Sequence, residues 1–495
     1  MAAPAHKRLL FLFFAGLLLA GAVVLRFSQV DRRPFHADEA VQAYQTWNLI
    51  RGQGYTYDPA DKHGPFLYYA AAGLAKISGW APPVLNESRL RLVSLIAGLG
   101  TLALFAGSAA RLGVGPALIA TALVAVAPLA VIYDTSFIQE AWFCFFSWGL
   151  FFALLHALDH PTWPAVLLVG LLGGLMQATK ETSVIHFAAL GAAAVAIKNP
   201  KDIIRLWPQW PAGLVTATLV YVVFYSAGFT RWIGVVDGLR SYAGYAGRAA
   251  SSPHDQPWYF YFHMLWPHTS EGTRWGEPLL LAFAAVGAAF GFTSRASPTH
   301  RATAVFTLGT LALYSVIPYK TSWLLLTPYA GLALLAGYSI GSLAEIYPKG
   351  LMRFAPLLLG LVLVGEAAIR DRSALGRYLN DARNPYVYQP TVAQFPLLVE
   401  RLRELSAQSD HALRMAVVSP DHAWPLPWYL RYEPTTGYFT TPPPNAAAFD
   451  LVIYDSRLAA SPATERMQVF GLRPNVLLWL ARPESVREAR NVSPP

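Results

Sequence analysis

The sequence predicts a mainly α-helical, multi-pass membrane protein with a small α/β domain at its C-terminus. The chain has 495 residues, of which 54% are hydrophobic and only 14% are charged. Soluble globular domains carry roughly a quarter charged residues, so this composition is far too apolar for that class. The apolar residues also cluster into runs close to the length of about twenty that a helix needs to cross a bilayer.

The charge and the cysteine content narrow the range of partners. The net charge is +9, but no basic stripe runs along the chain. We therefore expect contacts with membrane lipids, through anionic head groups or phosphates, and none with nucleic acid. The one cysteine, Cys144, lies inside an apolar run, and a single cysteine cannot form an intrachain disulfide. The cysteine content therefore does not indicate whether the protein is in an oxidising or a reducing compartment.

Apolar runs predict about eleven membrane spans within residues 1–370. The first, "HKRLLFLFFAGLLLAGAVVL", is similar to a signal peptide with a small-residue cleavage site at residues 20–22. Because the run continues past that site and many spans follow, we interpret it as an uncleaved helix. The runs begin at Leu9, Leu92, Val114, Ala141, Pro164, Ser183, Pro211, Pro278, Ala302, Trp323 and Leu351.

The loops between these spans differ sharply in lysine and arginine content. With the N-terminus in the cytoplasm, the short loops on the opposite face contain only Lys180 and Lys320. The cytoplasmic side then contains Lys7, Arg8, Arg111, Lys198, Lys201, Arg205, Arg295, Arg301, Lys349 and Arg353. Because positive loops stay inside, this asymmetry predicts a cytoplasmic N-terminus in the inner (cytoplasmic) membrane. The long loops 28–91 and 230–277 and the C-terminal domain then lie outside.

The C-terminal part of the chain is predicted to be a separate domain. The composition changes after Ala368, where "RDRSALGRYLNDARNP" is typical of a polar linker. The segment "VAQFPLLVERLRELSAQ" has helical periodicity, and "RMAVVS", "FDLVIY" and "NVLLWLA" are typical of short buried strands. We therefore predict a linker and a small extracytoplasmic α/β domain in residues 371–495.

The first long loop holds the titratable side chains His36, Asp38, Glu39, Asp58 and His63. Acids at 38 and 39 would also suit the positive end of a helix, without any further function. Adjacent helical residues point in different directions, so only one of the two carboxylates is expected to face a given cavity. The clustering favours function, and in a transferase Asp38 would act as general base. Four of these residues, His36, Asp38, Asp58 and His63, could hold a divalent cation through oxygen and imidazole ligands, although no metal is required.

Further polar side chains mark the outer ends of later spans: Asp134, Glu140, Lys180, Glu181, Tyr319 and Lys320. Lys180 and Glu181 lie between two short spans, where they either pair with each other or face a cavity. Lys320 either extends its amine to the interface or binds a lipid phosphate. Three arginines of the second long loop are equally placed for that phosphate: Arg231, Arg240 and Arg248. We expect Asp38 and Lys180 to line one outward-facing cavity.

Several motifs, in this order, resemble the GT-C superfamily of membrane glycosyltransferases. They are "HADEA" after the first span, "YDPADKHGPFLYY" at 57–69, "KET" at 180–182, "YKTSWLL" at 319–325, "NPYVYQPT" at 384–391 and "WPLPWYLR" at 424–431. The likeness runs along nearly the whole chain and is greatest to a bacterial and archaeal branch of flippase-activity-associated proteins. Protein O-mannosyltransferases and lipid A aminoarabinose transferases are related families.

The resemblance implies a sugar donor linked to polyprenyl phosphate and an acceptor glycan, lipid or protein on the outer face. By matching position, Asp38 would be the catalytic acid of the first loop, with Glu39 its neighbour. Lys180 or Lys320 is a candidate cation for the charge that develops on the leaving phosphate. Direct displacement at the anomeric carbon inverts the configuration and needs one base. One departure stands out, because Ser136 occupies the loop in which the resemblance leads us to expect an arginine.

Two other classes of protein stay open. Transporters or flippases of lipid-linked sugars commonly have internal repeats and broken helices, with polar residues near the midplane. In this chain the polar residues collect at one face, which favours an enzyme. A noncatalytic assembly factor that binds through its outer domain is also compatible with the sequence. The sugar, the acceptor and the linkage are left open.

Overall fold

A computed structural model describes residues 5–59, 63–199, 201, 203, 208–250, 254–346, 349–458 and 467–482. Most of this chain is helical, as predicted. The helices in the described ranges are α1 (Ala5–Phe27), α2 (Ala37–Ile50), α3 (Phe66–Ile77), α4 (Glu87–Gly107), α5 (Ala109–Leu112), α6 (Val114–Val126), α7 (Pro128–Asp134), α8 (Glu140–Asp159), α9 (Trp163–Thr179), α10 (Ser183–Ile197), α11 (Trp210–Tyr225), α12 (Ile233–Ala250), α13 (Phe260–Leu265), α14 (Pro278–Gly291), α15 (Pro298–Val316), α16 (Leu326–Ile346), α17 (Ala355–Ala374), α18 (Phe395–Gln408) and α19 (Leu426–Tyr429).

Each predicted apolar run coincides with a helix or with the short turn that precedes one. Within the described residues, four helices are long and apolar enough to cross a membrane alone: Leu9–Phe27, Glu87–Gly107, Glu140–Asp159 and Ser322–Leu343. The bent pair α6 and α7 provides a fifth if it counts as one span. Other apolar helices have only 10–17 residues, so the predicted number of about eleven is larger than these criteria give.

The helical bundle has an apolar exterior and an aromatic interior. Trp148 is fully buried and contacts Phe105, Phe151 and Phe306. Exposed apolar surface of this extent marks contact with a membrane. The protein is therefore a multi-pass membrane protein. The exposed side chains include Leu12, Phe13 and Leu17 on α1, Leu214, Val215 and Leu219 on α11, and Leu357, Leu358 and Leu361 on α17.

A bend of 67° separates α6 from α7. Ala127 has extended backbone angles and Pro128 begins α7. Proline has no N–H to donate, and its ring clashes with the preceding turn, so the helix breaks at this point. The end of α7 lies against the first long loop, where Arg33 hydrogen-bonds to the carbonyl of Thr135.

Helix α2 begins with a reciprocal cap that orients both acids of the "HADEA" motif. His36 Nδ1 accepts from the backbone N–H of Asp38 at 3.2 Å, and the Glu39 carboxylate accepts from the N–H of His36 at 3.0 Å. Such a capping box satisfies donors at the helix start that lack partners inside the helix. The motif therefore turns Glu39 back toward the start of the helix.

The described residues contain a two-stranded hairpin, β1 (His268–Ser270) and β2 (Thr273–Trp275), in the second long loop. A five-stranded sheet forms the C-terminal domain, from β3 (Met415–Val418), β4 (Thr436–Phe439), β5 (Leu451–Asp455), β6 (Gln468–Arg473) and β7 (Val476–Ala481). Its order is β4-β3-β5-β7-β6, parallel from β4 to β5 and antiparallel from β5 to β6. Helix α18 and strands β3, β5 and β7 confirm the predicted segments, whereas β4 and β6 were not predicted.

The C-terminal domain is docked on the first long loop at Phe35. The backbone N–H of Phe35 donates to the Tyr429 hydroxyl at 3.0 Å, and Thr391 Oγ1 donates to the Phe35 carbonyl at 2.8 Å. The Trp428 ring packs on the Phe35 ring with centroids 5.5 Å apart. Both polar backbone groups of the residue before His36 are thus held by the C-terminal part of the chain.

Candidate active site

Loops that are distant in sequence meet at one end of the helical bundle. A cavity of about 40 Å³ lies there between the first long loop, the end of α7, the turn before α16 and residues 387–391. Its lining includes Arg33, His36, Tyr133, Trp323 and Tyr388. At about 10–15 Å³ for each water, this volume holds only a few water molecules, so a sugar would need the lining to move.

Asp38 is not among the residues that line this cavity, whereas its neighbours His36 and Glu39 are, and half of its side chain is exposed. Its Oδ2 atom is 4.0 Å from His36 Nδ1. Burial, reinforced by the Asp38 carboxylate, raises the pKa of Tyr388 to about 12. Burial lowers the pKa of His254, and the same carboxylate opposes this change. Asp38 is therefore an accessible carboxylate beside imidazole and phenol groups, a setting in which it can accept a proton.

Glu39 is buried and holds three segments together. Its oxygens accept from Arg91 Nε at 2.8 Å and Nη2 at 2.9 Å. It also accepts from the backbone N–H of Phe137 at 2.9 Å. Burial alone would raise the pKa of Glu39, but the Arg91 and Arg33 guanidinium groups outweigh it and lower the pKa to about 2. A carboxylate held in this way is a poor base, so its surroundings favour a positioning role.

Arg33 is a site residue that sequence reasoning missed. Its Nη2 donates to the carbonyls of Ile132 at 3.2 Å and Thr135 at 2.9 Å, and to Ser136 Oγ at 2.6 Å. Its Nη1 is buried without a hydrogen-bond partner among the described residues. Burial and the nearby Arg91 lower the pKa of Arg33 to about 10, so the group remains a cation at neutral pH.

Lys180 and Glu140 form a buried ion pair between the residues after α9 and the start of α8. Lys180 and Glu181 do not pair with each other, because each of them has other partners. Glu181 accepts from the Tyr57 hydroxyl at 2.9 Å and lies 3.1 Å from His63 Nδ1. Lys180 is not among the lining residues of the cavity beside Asp38, and its charge is compensated by an acid.

Asp134 also belongs to a buried ion pair. Its Oδ2 is 2.8 Å from the guanidinium of Arg26, at the end of α1. Arg26 donates further to the carbonyls of Ala125 and Val124, at the end of α6. Asp134 therefore joins α1 to the bent pair of helices, and the substrate contact suggested by the sequence stays a prediction.

Lys320 is buried in the turn that follows α15. Its Nζ donates to the carbonyls of Gln256 at 3.0 Å and Ile317 at 2.5 Å, and its backbone N–H donates to the carbonyl of His254 at 3.1 Å. The ring of Tyr319 contacts the His254 ring with centroids 5.1 Å apart. Lys320 and Tyr319 thus brace the second long loop, which brings His254 near Asp38.

Four residues were candidate metal ligands: His36, Asp38, Asp58 and His63. Across the part of the chain that the structure describes, no three or more His, Cys, Asp or Glu side chains are grouped so as to hold a metal ion. His36 caps α2, whereas His63 faces Glu181. The structure therefore does not combine these four residues into a divalent-cation site.

Comparison with known proteins supports the fold. The dolichyl-phosphate-mannose-protein mannosyltransferase family matches residues 62–225, about a third of the chain. The structure is similar to ArnT from Cupriavidus metallidurans bound to undecaprenyl phosphate, with a TM-score of 0.61 and 13% identity over 95% of this chain and 98% of ArnT. The apo state of ArnT gives a TM-score of 0.56 and 14% identity at the same coverage. No curated protein sequence matches the chain.

A third structure, the S. cerevisiae protein O-mannosyltransferase Pmt1-Pmt2 complex bound to the sugar donor, is much less similar. Its TM-score is 0.39 and its identity 18%, over 47% of this chain and 35% of that chain. The fold is therefore assigned from ArnT, which matches along almost the full length of both chains.

The structure therefore has the same fold as ArnT. The family match to residues 62–225 agrees with the resemblance of the motifs to the GT-C superfamily. The mainly helical membrane domain and the small C-terminal sheet are both features of this fold class in the present chain.

Proposed function

We propose that the protein is an inverting glycosyltransferase. It moves a sugar from a polyprenyl-phosphate-linked donor to a hydroxyl group of a glycan, lipid or protein acceptor. One observation carries the proposal: the accessible Asp38 carboxylate lies 4.0 Å from His36, which lines a cavity where the motif loops meet. The similarity in fold to ArnT, which binds undecaprenyl phosphate, supports the choice of donor.

The reaction is a single displacement. The acceptor oxygen attacks the anomeric carbon while Asp38 takes the hydroxyl proton. The bond between the anomeric carbon and the phosphate oxygen breaks, and polyprenyl phosphate leaves with the electron pair. One new glycosidic bond replaces one glycosyl phosphate bond, so no covalent enzyme intermediate and no additional reactant is needed.

We infer that Glu39 holds the base without exchanging protons itself. Its ion pair with Arg91 and its bond to the N–H of Phe137 fix the first turn of α2, on which Asp38 lies. Preorganisation of this kind lowers the cost of reaching the reactive geometry. We place the reaction on the extracytoplasmic face of the inner membrane, because the loop charges predict that side for all of these motifs.

The proposal is tested by reconstituting the purified protein in liposomes with a panel of radiolabelled polyprenyl-phosphate sugars. An envelope extract supplies acceptors, and water serves as a slow acceptor of its own. We expect one donor to be consumed, with the product anomer opposite to that of the donor by NMR. Consumption of no donor, or retention of configuration, would contradict the proposed function.

A further inference from the structure

We propose that Arg33 binds the phosphate of the polyprenyl phosphate and stabilises it as the leaving group. This inference rests on the proposed function, since it takes the lipid phosphate of the donor as the ligand. It names a cation that the sequence did not point to. The residue where an arginine was expected, Ser136, instead supports the guanidinium of Arg33 through its hydroxyl.

The hydrogen bonds of Arg33 leave one edge of its guanidinium free. Nη2 is anchored to two carbonyls at the end of α7 and to Ser136 Oγ. Nη1 is buried, and no acceptor for it occurs among the described residues. A buried donor without an acceptor is destabilising, so an oxygen ligand at this position would be stabilised. Arg33 also lines the cavity beside Asp38.

The local charges also favour an anion. Arg33 and Arg91 are both close enough to Glu39 to lower its pKa, but only Arg91 forms an ion pair with it. Among the described residues Arg33 forms no ion pair of its own. A phosphate at Arg33 would give its guanidinium an anionic partner at a site that excludes most water.

Three other buried cations near the site already have partners. Lys180 is paired with Glu140, and Arg26 is paired with Asp134. Lys320 Nζ donates to three backbone carbonyls, those of Gln256, Ile317 and Pro318. The unused Nη1 donors favour Arg33 over Lys180 and Lys320 as the cation that binds the phosphate.

Arginine also has suitable chemistry for this ligand. Its planar guanidinium makes parallel charge-assisted hydrogen bonds to phosphate oxygens and stays protonated when buried. Cations aimed at a leaving phosphate act where charge develops in the transition state. Asp38 would then take the acceptor proton, and Arg33, which lines the cavity, would bind the leaving phosphate.

The test compares Arg33→Gln with Arg32→Gln, a neighbouring arginine whose side chain is exposed. Binding of undecaprenyl phosphate and of the neutral undecaprenol is measured in nanodiscs for both variants and for Arg33→Lys. We expect Arg33→Gln to bind the phosphate roughly tenfold to hundredfold more weakly, the range for losing hydrogen bonds to a charged group. Undecaprenol binding should be unchanged, and Arg32→Gln should match the wild type.

Two results would overturn the inference: equal phosphate affinity in Arg33→Gln and wild type, or an equal loss of phosphate and undecaprenol binding. The latter would show that Arg33 only caps α7. If Arg33→Gln does not fold, the same comparison is made with Arg33→Lys, for which we expect a smaller but phosphate-specific loss. Because the readout is binding, weaker phosphate binding without any sugar transfer would support this inference and contradict the proposed function.

Discussion

Asp38 and Glu39 are adjacent in sequence, yet their surroundings give them different chemistry. Glu39 is turned into the capping box and held by Arg91, whereas Asp38 stays half exposed beside the cavity. The sequence predicted that only one of the two would face a given cavity, because neighbouring residues of a helix diverge. In the structure Glu39 lines the cavity at the motif loops and Asp38 does not. Which of them is fixed in place depends on Arg91, whose contact with Glu39 spans 52 positions of sequence.

We predict that Glu39→Gln lowers the free energy of unfolding by about 3–5 kcal/mol, because it leaves the buried Arg91 charge uncompensated. The pH dependence has a defined sign. The pKa of Glu39 falls from 4.5 to about 2 on folding. Its stabilising effect is therefore complete above the unfolded value and is lost as the pH falls toward 2.

Unfolding of detergent-solubilised protein between pH 2 and pH 7 measures both effects. Glu400→Gln, at an exposed position of α18, is the matched control and should stay within about 0.5 kcal/mol of wild type. An unchanged stability of Glu39→Gln, or an acid-induced loss as steep as that of wild type, would contradict the assigned role.

Arg33 shows why part of the site could not be predicted from the sequence. It directly precedes the "PFHADEA" stretch, but its hydrogen bond to Ser136 joins residues 103 positions apart. Nothing local distinguishes it from Arg32, whose side chain is exposed. The motif acids could be predicted because they are close together in the sequence. The cations near them could not, because only the tertiary fold brings them to the site.

At the scale of elements, the C-terminal part of the chain holds the loop that carries Asp38. Tyr429 and Thr391 bind both backbone groups of Phe35, the residue before the α2 cap. The segments "WPLPWYLR" and "NPYVYQPT" were part of the family resemblance, but the sequence did not indicate their function. Their contacts explain that sequence pattern, because each motif supplies one hydrogen bond to the loop that carries Asp38.

We predict that Tyr429→Phe slows sugar transfer roughly tenfold to hundredfold, because small displacements of a reactive group cost that much. The Phe35 N–H loses its acceptor, so stability should also fall by about 1–3 kcal/mol. Steady-state transfer assays and thermal unfolding measure the two effects. Affinity for polyprenyl phosphate should not change, because Tyr429 is not part of the cavity lining.

Tyr432→Phe is the control for this variant. The Tyr432 hydroxyl donates to the Pro82 carbonyl in the same interface, but the side chain is exposed and does not contact Phe35 by a hydrogen bond in the described structure. Its activity should remain close to that of wild type. Equal activity of the two variants would show that docking at Phe35 does not position the loop.

At the scale of the whole molecule, the order of helices and the small sheet followed from composition and periodicity. The number of spans was predicted less well, because several apolar helices are too short to cross a bilayer and α6 is separated from α7 by a break before Pro128. Strands β4 and β6 escaped prediction because their sequences, "TGYF" and "QVFGLR", contain glycine and lack a continuous apolar pattern.

The predicted orientation can be measured with single cysteines. Gln408→Cys lies on the C-terminal domain and Ser294→Cys in a predicted cytoplasmic loop, and both positions are exposed. Because Cys144 is buried, it should not react. We expect an impermeant maleimide added to intact cells to label the Gln408→Cys variant alone. Labelling of the loop position in place of the C-terminal one would reverse the assignment of the faces.

The central claim is that Asp38 takes the proton of the acceptor, and Asp38→Asn tests it most directly. The exchange keeps the shape and removes the base, so transfer of labelled sugar by the reconstituted protein should fall roughly hundredfold to ten-thousandfold. Thermal stability should barely change, because a half-exposed acid at a helix start contributes only about 0.3–1 kcal/mol. Asp31→Asn, at an exposed position of the same loop, should retain wild-type activity. Equal transfer by Asp38→Asn and wild type, or a loss of stability in step with activity, would contradict the account.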